Sequence, residues 1–405
     1  MSQATMENDT ELLPPAQHRS NVWRLALAQA LAGANSVVIY ATGAVVGSDL
    51  APSQALATLP ISIFVVGMAL CTLPAGWMAE HHGRRTAFFA GTAAGVAAGV
   101  VAMLAVLVSS FWLLCAATFL GGAYAAVVLS FRFAAADGAP AQKRARALSM
   151  VMAGGVASGV VGPQLVSLTM HLWPGHLFAA TFLFQGVVAA VSAGLLAGVR
   201  LPHVAPTSGM SREPLSSVLL DPRFIAAAIC GAVSYMLMNF MMTAAPLAMH
   251  MHGHAQESSN LSLQWHVIAM YLPSFFTGKL IARVGAKRVA AAGLVLTGAA
   301  AVAGLHGMEV FDFSLSLILL GLGWNFGFLG ASALVLECHG NVDKRRVQAF
   351  NDFLIFAVMA VGSFLSGWIL ARHGWHVVLW SSFVPLALAM AALLATARRG
   401  PLEQS

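Results

Sequence analysis

The chain has 405 residues, of which 59% are hydrophobic and only 9% are charged. Soluble globular proteins carry roughly 25% charged residues, so most of this surface is expected to face lipid. The net charge of +6 does not indicate nucleic-acid binding, because the basic residues lie in short loops between apolar runs. The four scattered cysteines form no Cys-x-x-Cys pair, which argues against a disulfide framework and a zinc finger.

Residues 1–21 are polar and lack the basic-then-apolar arrangement of a cleaved signal peptide, so the first membrane helix is expected to be an uncleaved insertion signal.

Twelve apolar runs follow, each with about the 20 residues that cross ~30 Å of hydrocarbon. Lipid offers no partners for unpaired backbone groups, so each run is predicted to be a helix. The predicted spans are 22–47, 55–79, 87–108, 111–136, 147–170, 177–199, 223–249, 262–283, 288–307, 313–337, 348–371 and 375–397.

The basic residues between the spans indicate the orientation. One side of the membrane receives nearly all of them, and the other side receives only Arg372. Positively charged loops remain in the cytoplasm, so both termini are predicted to be cytoplasmic. The residues on the basic side are Arg19, Arg24, Arg84, Arg85, Lys143, Arg144, Arg146, Arg200, Arg212, Arg223, Arg283, Lys287, Arg288, Lys344, Arg345, Arg346, Arg398 and Arg399.

An internal repeat divides the chain into two parts. Gly76 and Gly83 stand at the end of the second span, and Gly278 and Gly285 stand at the same places after the eighth, 202 residues later. A proline-rich polar segment between the sixth and seventh spans suits a linker. The predicted division is a cytoplasmic tail at 1–21, a six-helix bundle at 22–200, a cytoplasmic linker at 201–222, a second six-helix bundle at 223–397 and a cytoplasmic tail at 398–405.

The segment after the second span carries a family resemblance. Gly76, Glu80, Gly83, Arg84 and Arg85 are spaced as in the signature loop of the major facilitator superfamily, where Asp is commoner than Glu. The resemblance implies an all-α membrane protein with a major facilitator fold, twelve transmembrane helices in two six-helix halves, and transport by alternating access. We expect the glycines to permit a tight turn and the arginines to pair with Glu80 or with helix C-termini. The alternative is a plain cytoplasmic anchor.

Methionine and histidine concentrate in the seventh and eighth spans. Met238 and Met242 lie one turn apart on one helix face, and His266 and Met270 repeat that spacing on the next helix. At 1.5 Å per residue, both pairs fall in the outer half of the membrane at similar depth. Thioether and imidazole groups are ligands of soft and borderline metals, Cu(I) above all. The alternative for the methionines is core packing, whereas an ionisable His266 inside a span favours a function.

These two pairs resemble the paired motif of the CcoA-like bacterial copper importers, a branch of the same superfamily. The resemblance implies that Met238, Met242, His266 and Met270 are copper ligands. It also implies transport of copper from the periplasm across the bacterial inner membrane, to supply cytochrome oxidase assembly. Some relatives in that branch lack these pairs and are thought to carry flavins.

A second group of metal-ligating residues follows at the outer end of the seventh span. It could capture copper before entry, since short His-rich tracts commonly bind metal, or it could be a solvated helix end. Its members are Met249, His250, Met251, His252 and His254. Cys230 lies two turns below Met238 and is either a relay for the ion or a small apolar filler. Arg132 and Asp352 lie near cytoplasmic span ends, which favours a gate over a substrate ligand.

The predicted function is therefore an inner-membrane copper importer, with copper as substrate and no resident cofactor. The alternative is a transporter of small organic molecules, either a flavin importer or a drug exporter. Gly159, Gly162 and Pro163 support the exporter, because they resemble an element common in the antiporters of the superfamily. A metal sensor on a transporter scaffold is a third possibility. We expect a monomer in the lipid bilayer that binds no nucleic acid and is not an enzyme.

Overall fold

The computed structural model describes residues 14–137, 141–201, 216–338 and 344–396, and these residues form helices without strands. In lipid a single segment satisfies its own backbone groups only as a helix. The helices are α1 Pro15–Leu50, α2 Leu59–His81, α3 Arg84–Leu107, α4 Phe111–Val128, α5 Phe131–Asp137, α6 Ala141–Thr169, α7 Ala179–Ala197, α8 Ser216–Leu219, α9 Pro222–Met251, α10 Gln256–Tyr271, α11 Ser274–Val284, α12 Ala286–His306, α13 Val310–Glu337, α14 Lys344–Ser381 and α15 Phe383–Ala395.

The helices account for the predicted membrane spans. Ten helical stretches of the described residues are long and apolar enough to cross a membrane, and the bent pair α10–α11 makes an eleventh. The last stretch, Phe350–Ala395, has 46 residues and would measure ~69 Å as one helix, more than twice the hydrocarbon thickness. Gly374 interrupts it with φ 77° and ψ 179°, so it supplies both the eleventh and the twelfth predicted spans. The predicted all-α membrane architecture is confirmed.

Three element boundaries differ from the prediction. α1 begins at Pro15, because proline suits the first turn of a helix, so this helix extends into the predicted tail. The fourth span is interrupted after Val128 and continues as α5. The eighth span bends by 42° between α10 and α11. The tail at 398–405, together with 1–13 and the linker residues 202–215, lies outside the described residues.

The buried apolar residues show how the two halves meet. We call the membrane side of the α2–α3 turn the basic face, and the side of the α1–α2 connection the opposite face. Toward the opposite face one continuous core includes Val38 and Phe64 of the N-terminal half and Met241 and Trp375 of the C-terminal half. Toward the basic face the core separates into one cluster of the N-terminal half and two of the C-terminal half. The halves therefore pack together at the opposite face and part at the basic face.

Small residues allow α6 and α10 to pack closely across this junction. A Cβ added at Gly159 would lie 3.0 Å from Val267, and one added at Gly155 would lie 2.7 Å from the ring of Tyr271. Gly162, from the same glycine-proline element, faces Val37 of α1. These glycines of α6 thus form a packing surface between helices, and Gly155 places Tyr271 against the N-terminal half.

Candidate functional site: a cavity between the two halves

A cavity of about 230 Å³ lies between the two halves and opens toward the basic face. The N-terminal half contributes residues of α1 to α6, and the C-terminal half contributes residues of α9, α10, α13 and α14. Its lining is Gln29, Thr72, Ala75, Gly76, Ala79, Ala87, Ala126, Val127, Val128, Leu129, Ser130, Arg132, Met152, Tyr235, Tyr271, Trp324, Phe328, Asp352 and Phe356.

The C-terminal half presents an aromatic wall to this cavity, made of Tyr235, Tyr271, Trp324, Phe328 and Phe356. Trp324 and Phe328 are one turn apart on α13, and their rings stack at 5.3 Å with an interplanar angle of 13°. The ring of Tyr235 meets both edge-on, at 5.4 Å and 5.1 Å. Tyr271 contacts Trp324 at 6.0 Å. Such a wall suits a flat aromatic ligand, since offset stacking and edge contacts are the favoured aromatic geometries.

Polar groups line the remainder of the cavity. Gln29 and Thr72 come from the N-terminal half, and both are partly buried. Arg132 and Asp352 bring opposite charges from opposite halves to the same cavity, in agreement with their predicted place near the basic face. A mostly apolar pocket with a few polar groups is the common form of a small-molecule site.

Hydrogen bonds between the halves seal the opposite face. The Tyr40 hydroxyl donates to Asn239 Oδ1 at 2.6 Å, and both residues are buried. Ser62 Oγ donates to Ser363 Oγ at 3.0 Å, which joins α2 to α14. Gln256 Nε2 donates to the carbonyl oxygen of Ala41 at 3.1 Å. The cavity is therefore closed on one face and open on the other.

The four predicted copper ligands are buried, and none of them lines the cavity. Met238, Met242 and Met270 belong to the continuous apolar core together with other methionines. His266 Nδ1 lies 2.6 Å from the carbonyl oxygen of Leu317, while its Nε2 is buried without a hydrogen-bond partner among the described residues. No group of three or more His, Cys, Asp and Glu in the described chain could hold a metal ion. The ligand set stays a prediction.

The members of the predicted capture group differ in burial, and the group stays a prediction. His250, Met251 and His252 are exposed at the end of α9, whereas Met249 is fully buried in the core. His254 Nε2 lies 2.6 Å from the carbonyl oxygen of Met308. Cys230, predicted as a relay or a filler, is buried and donates to the carbonyl oxygen of Ala389 at 3.5 Å.

The predicted conformational loops both contain a glycine with a positive φ. Gly83 has φ 84° and Gly285 has φ 92°, values that side chains rarely adopt. Among the described residues, nothing lies within 4 Å of a Cβ built on either glycine, or on Gly76 or Gly278. Backbone conformation, rather than close helix approach, therefore requires glycine at positions 83 and 285 in this state.

The charged residues of the first loop have separate surroundings. Arg85 Nη2 donates to the carbonyl oxygen of Ala197 at 3.0 Å, so it caps the C-terminus of α7, one of the two predicted pairings. Arg84 begins α3 beside it and is partly buried, and Glu80 is exposed at the end of α2.

A helical membrane protein with a central cavity open on one face and sealed on the other has the architecture of a transporter rather than an enzyme. The model of the Major Facilitator Superfamily matches residues 25–271 and 227–405, and the chain belongs to this superfamily. It is a multi-pass membrane transporter.

Relatives give finer information. The riboflavin transporter RfnT of Brucella anthropi is 42% identical over 379 residues, which is 93% of this chain and 95% of that protein. The multidrug resistance protein MdtL of Escherichia coli O157:H7 is 24% identical over 85% of this chain and 86% of its own length. A bacterial homologue of the human lysosomal transporter Spinster, solved in an inward-facing and unoccupied conformation, covers 95% of this chain and 98% of its own. Its TM-score is 0.71 at 14% identity, which supports the fold alone.

Proposed function

We propose that this protein imports riboflavin, the flavin alternative among the functions predicted from the sequence. The aromatic wall of Tyr235, Trp324 and Phe328 carries the proposal, because the isoalloxazine ring of riboflavin is a flat aromatic system of the kind such a wall stacks against. The 42% identity to RfnT over nearly the whole chain supports riboflavin over copper.

The polar part of the cavity suits the rest of the substrate. Riboflavin carries a ribityl chain with hydroxyl groups that both donate and accept hydrogen bonds. Gln29, Thr72, Arg132 and Asp352 line the same cavity as the aromatic wall and offer donors and acceptors to that chain. The ring and the chain would then each meet groups of matching polarity, which orients the substrate in the cavity.

We propose that the basic face is cytoplasmic and that the protein lies in a bacterial inner membrane with both termini inside. The concentration of Lys and Arg on one side supports this orientation. In this orientation the cavity opens to the cytoplasm, and the Tyr40–Asn239 bond closes the periplasmic side. Import then requires an alternate state in which the halves part at the periplasmic side and meet at the cytoplasmic side.

Copper import is the second candidate, and His266 is the observation that favours it. Its Nε2 is buried and unpartnered among the described residues, on a helix that also carries Met270. Against copper, these residues lie outside the cavity, and neither RfnT nor MdtL is named as a metal transporter. Drug export has the support of MdtL at only 24% identity.

Uptake of radiolabelled riboflavin tests the proposal, in bacterial cells that neither synthesise nor otherwise import it. Cells that produce the protein should accumulate riboflavin, and Trp324→Leu should abolish most of that uptake. Trp380→Leu is the matched control, because Trp380 is 63% exposed and lies outside the cavity. Absence of riboflavin uptake by the unaltered protein, at normal levels in the membrane, would reject riboflavin import.

A further inference from the structure

The break in the eighth span lies directly beside the cavity. α10 ends at Tyr271, which belongs to the aromatic wall, and α11 starts three residues later at Ser274 with a bend of 42°. Pro273 stands inside this break, and proline removes a backbone donor and kinks a helix. A change in this bend would therefore act on the cavity wall.

A single buried side chain, Asn325 of α13, holds both sides of the break. Its Nδ2 donates to the carbonyl oxygen of Met270 at 2.6 Å, on the α10 side, and to Ser274 Oγ at 2.7 Å, on the α11 side. Its Oδ1 accepts a hydrogen bond from Thr277 Oγ1 at 2.7 Å. Both amide protons and the amide oxygen are thus used at the break. Asn325 also follows Trp324 of the aromatic wall in sequence.

The two helix pieces differ in how firmly they are packed. α10 is enclosed by glycine contacts on two sides: a Cβ on Gly321 of α13 would lie 2.5 Å from the carbonyl oxygen of His266, and Gly155 of α6 faces Tyr271. Thr277 is the one buried residue of α11, and it is bonded to Asn325. α10 is thus fixed between the halves. α11 has fewer contacts of this kind: Thr277 bonds to Asn325, and the ring of Phe276 meets that of Phe326 on α13 at 6.4 Å.

We propose that the break at 271–274 is a hinge, about which α11 moves relative to the rest of the C-terminal half when the cavity fills. Asn325 is the positioning residue that sets the angle of α11 and couples it to Tyr271 and Trp324. The identity of the ligand rests on the proposed riboflavin function, whereas the hinge rests on the contacts at the break. A hinge of a few residues at an element end is a common way to close a site.

Measuring a distance within the C-terminal half distinguishes this hinge motion from rigid rocking of the whole halves. Spin labels at Lys279, on α11, and Ala395, at the end of α15, are both on exposed positions of the same half. Rigid rocking leaves this distance unchanged. Straightening the 42° bend would carry Lys279, ~9 Å from Pro273, through ~6 Å. The four native cysteines are replaced beforehand for labelling.

The first experiment measures the Lys279–Ala395 distance distribution without ligand, by pulsed electron paramagnetic resonance on the full-length protein in nanodiscs. We expect a narrow Lys279–Ala395 distribution in the parent protein and a broad or shifted one in Asn325→Ala. Thr277→Val removes the hydroxyl that contacts Asn325 Oδ1 and the carbonyl oxygen of Pro273 but keeps the side-chain shape, and it should show a smaller change in the same direction. Asn35→Ala is the control, because Asn35 is a buried amide of α1 with no link to the break. An unchanged distribution in both Asn325→Ala and Thr277→Val overturns the hinge.

The second experiment repeats the distance measurement with saturating riboflavin. If riboflavin binds, it should shift the Lys279–Ala395 distance in the parent protein by up to ~6 Å. It should also bind Asn325→Ala, but there the distance distribution with riboflavin should be broad. Riboflavin that binds without any shift refutes ligand-driven hinge motion and leaves the proposed function intact. Riboflavin that fails to bind refutes the proposed function, and the ligand-free comparison still decides whether Asn325 holds the hinge.

Discussion

Tyr40→Phe should open the opposite face of the protein. The substitution keeps the ring and removes the hydroxyl that donates to Asn239 Oδ1 at 2.6 Å. Asn239 is fully buried and its Nδ2 already lacks a partner among the described residues, so the amide would lose its one side-chain bond. A buried polar group left unpaired costs about 1–3 kcal/mol. Water would hydrate Asn239 in a state that is open at the opposite face, so this cost falls on the present state alone and shifts the equilibrium about 5- to 150-fold toward that open state.

Spin labels at Leu172 and Phe311 report this shift, because both residues are exposed near the opposite face, one in each half. The longer distance should gain population in Tyr40→Phe. Tyr124→Phe serves as the control, since Tyr124 is buried in the core cluster that the described residues of the N-terminal half form by themselves. Equal distance distributions in Tyr40→Phe and in the parent protein would show that the Tyr40–Asn239 bond does not hold the closed face.

Three other predictions test separate parts of the structure. Gly83→Ala and Gly285→Ala should each lower stability by about 1–3 kcal/mol, because both glycines have a positive φ. The midpoint of thermal unfolding should therefore fall in both variants. Gly278→Ala, inside α11, is the control and should not lower the midpoint. Gly155→Ala should displace Tyr271 from the aromatic wall and weaken riboflavin binding about 2- to 12-fold, as for the loss of one aromatic contact of ~0.5–1.5 kcal/mol. Its control is Gly194→Ala on α7, where an added Cβ meets nothing within 4 Å, and equal affinities of the two variants would exclude the displacement. Met238→Leu and His266→Ala should leave cellular copper unchanged, and a fall in copper accumulation in both would favour the copper hypothesis over riboflavin.

The sequence predicts the fold well, because membrane spans follow from local composition. Twelve apolar runs, the repeated glycines and the signature loop lead to the correct architecture. The break of the eighth span was missed, because its apolar run is continuous through Pro273 and a proline within a membrane helix does not by itself predict a 42° bend. Asn325 is a polar residue inside the tenth span, which is unusual in a membrane helix. The sequence does not reveal its partners in the eighth span, because they lie 48 to 55 residues away along the chain.

The candidate site was harder to predict than the fold. Methionine and histidine favour a metal site because their side chains are known metal ligands, yet Met238, Met242 and Met270 are buried in an apolar core. The aromatic wall combines residues of α9, α10, α13 and α14. Aromatic side chains occur throughout the chain, with 23 Phe and 9 Trp, so their type alone does not mark a site. Which of them face the cavity depends on the rotation of each helix against the other half, and this is a property of the tertiary structure.

Direct binding of riboflavin to the purified protein is the decisive measurement. Riboflavin fluorescence should be quenched in a saturable way as the ring stacks on the aromatic wall, and Trp324→Leu should weaken the binding strongly while Trp380→Leu leaves it unchanged. Cu(I) should not displace the bound riboflavin. Absence of saturable riboflavin binding, together with Cu(I) binding that is lost in Met238→Leu and His266→Ala, would contradict flavin transport and assign the protein to copper.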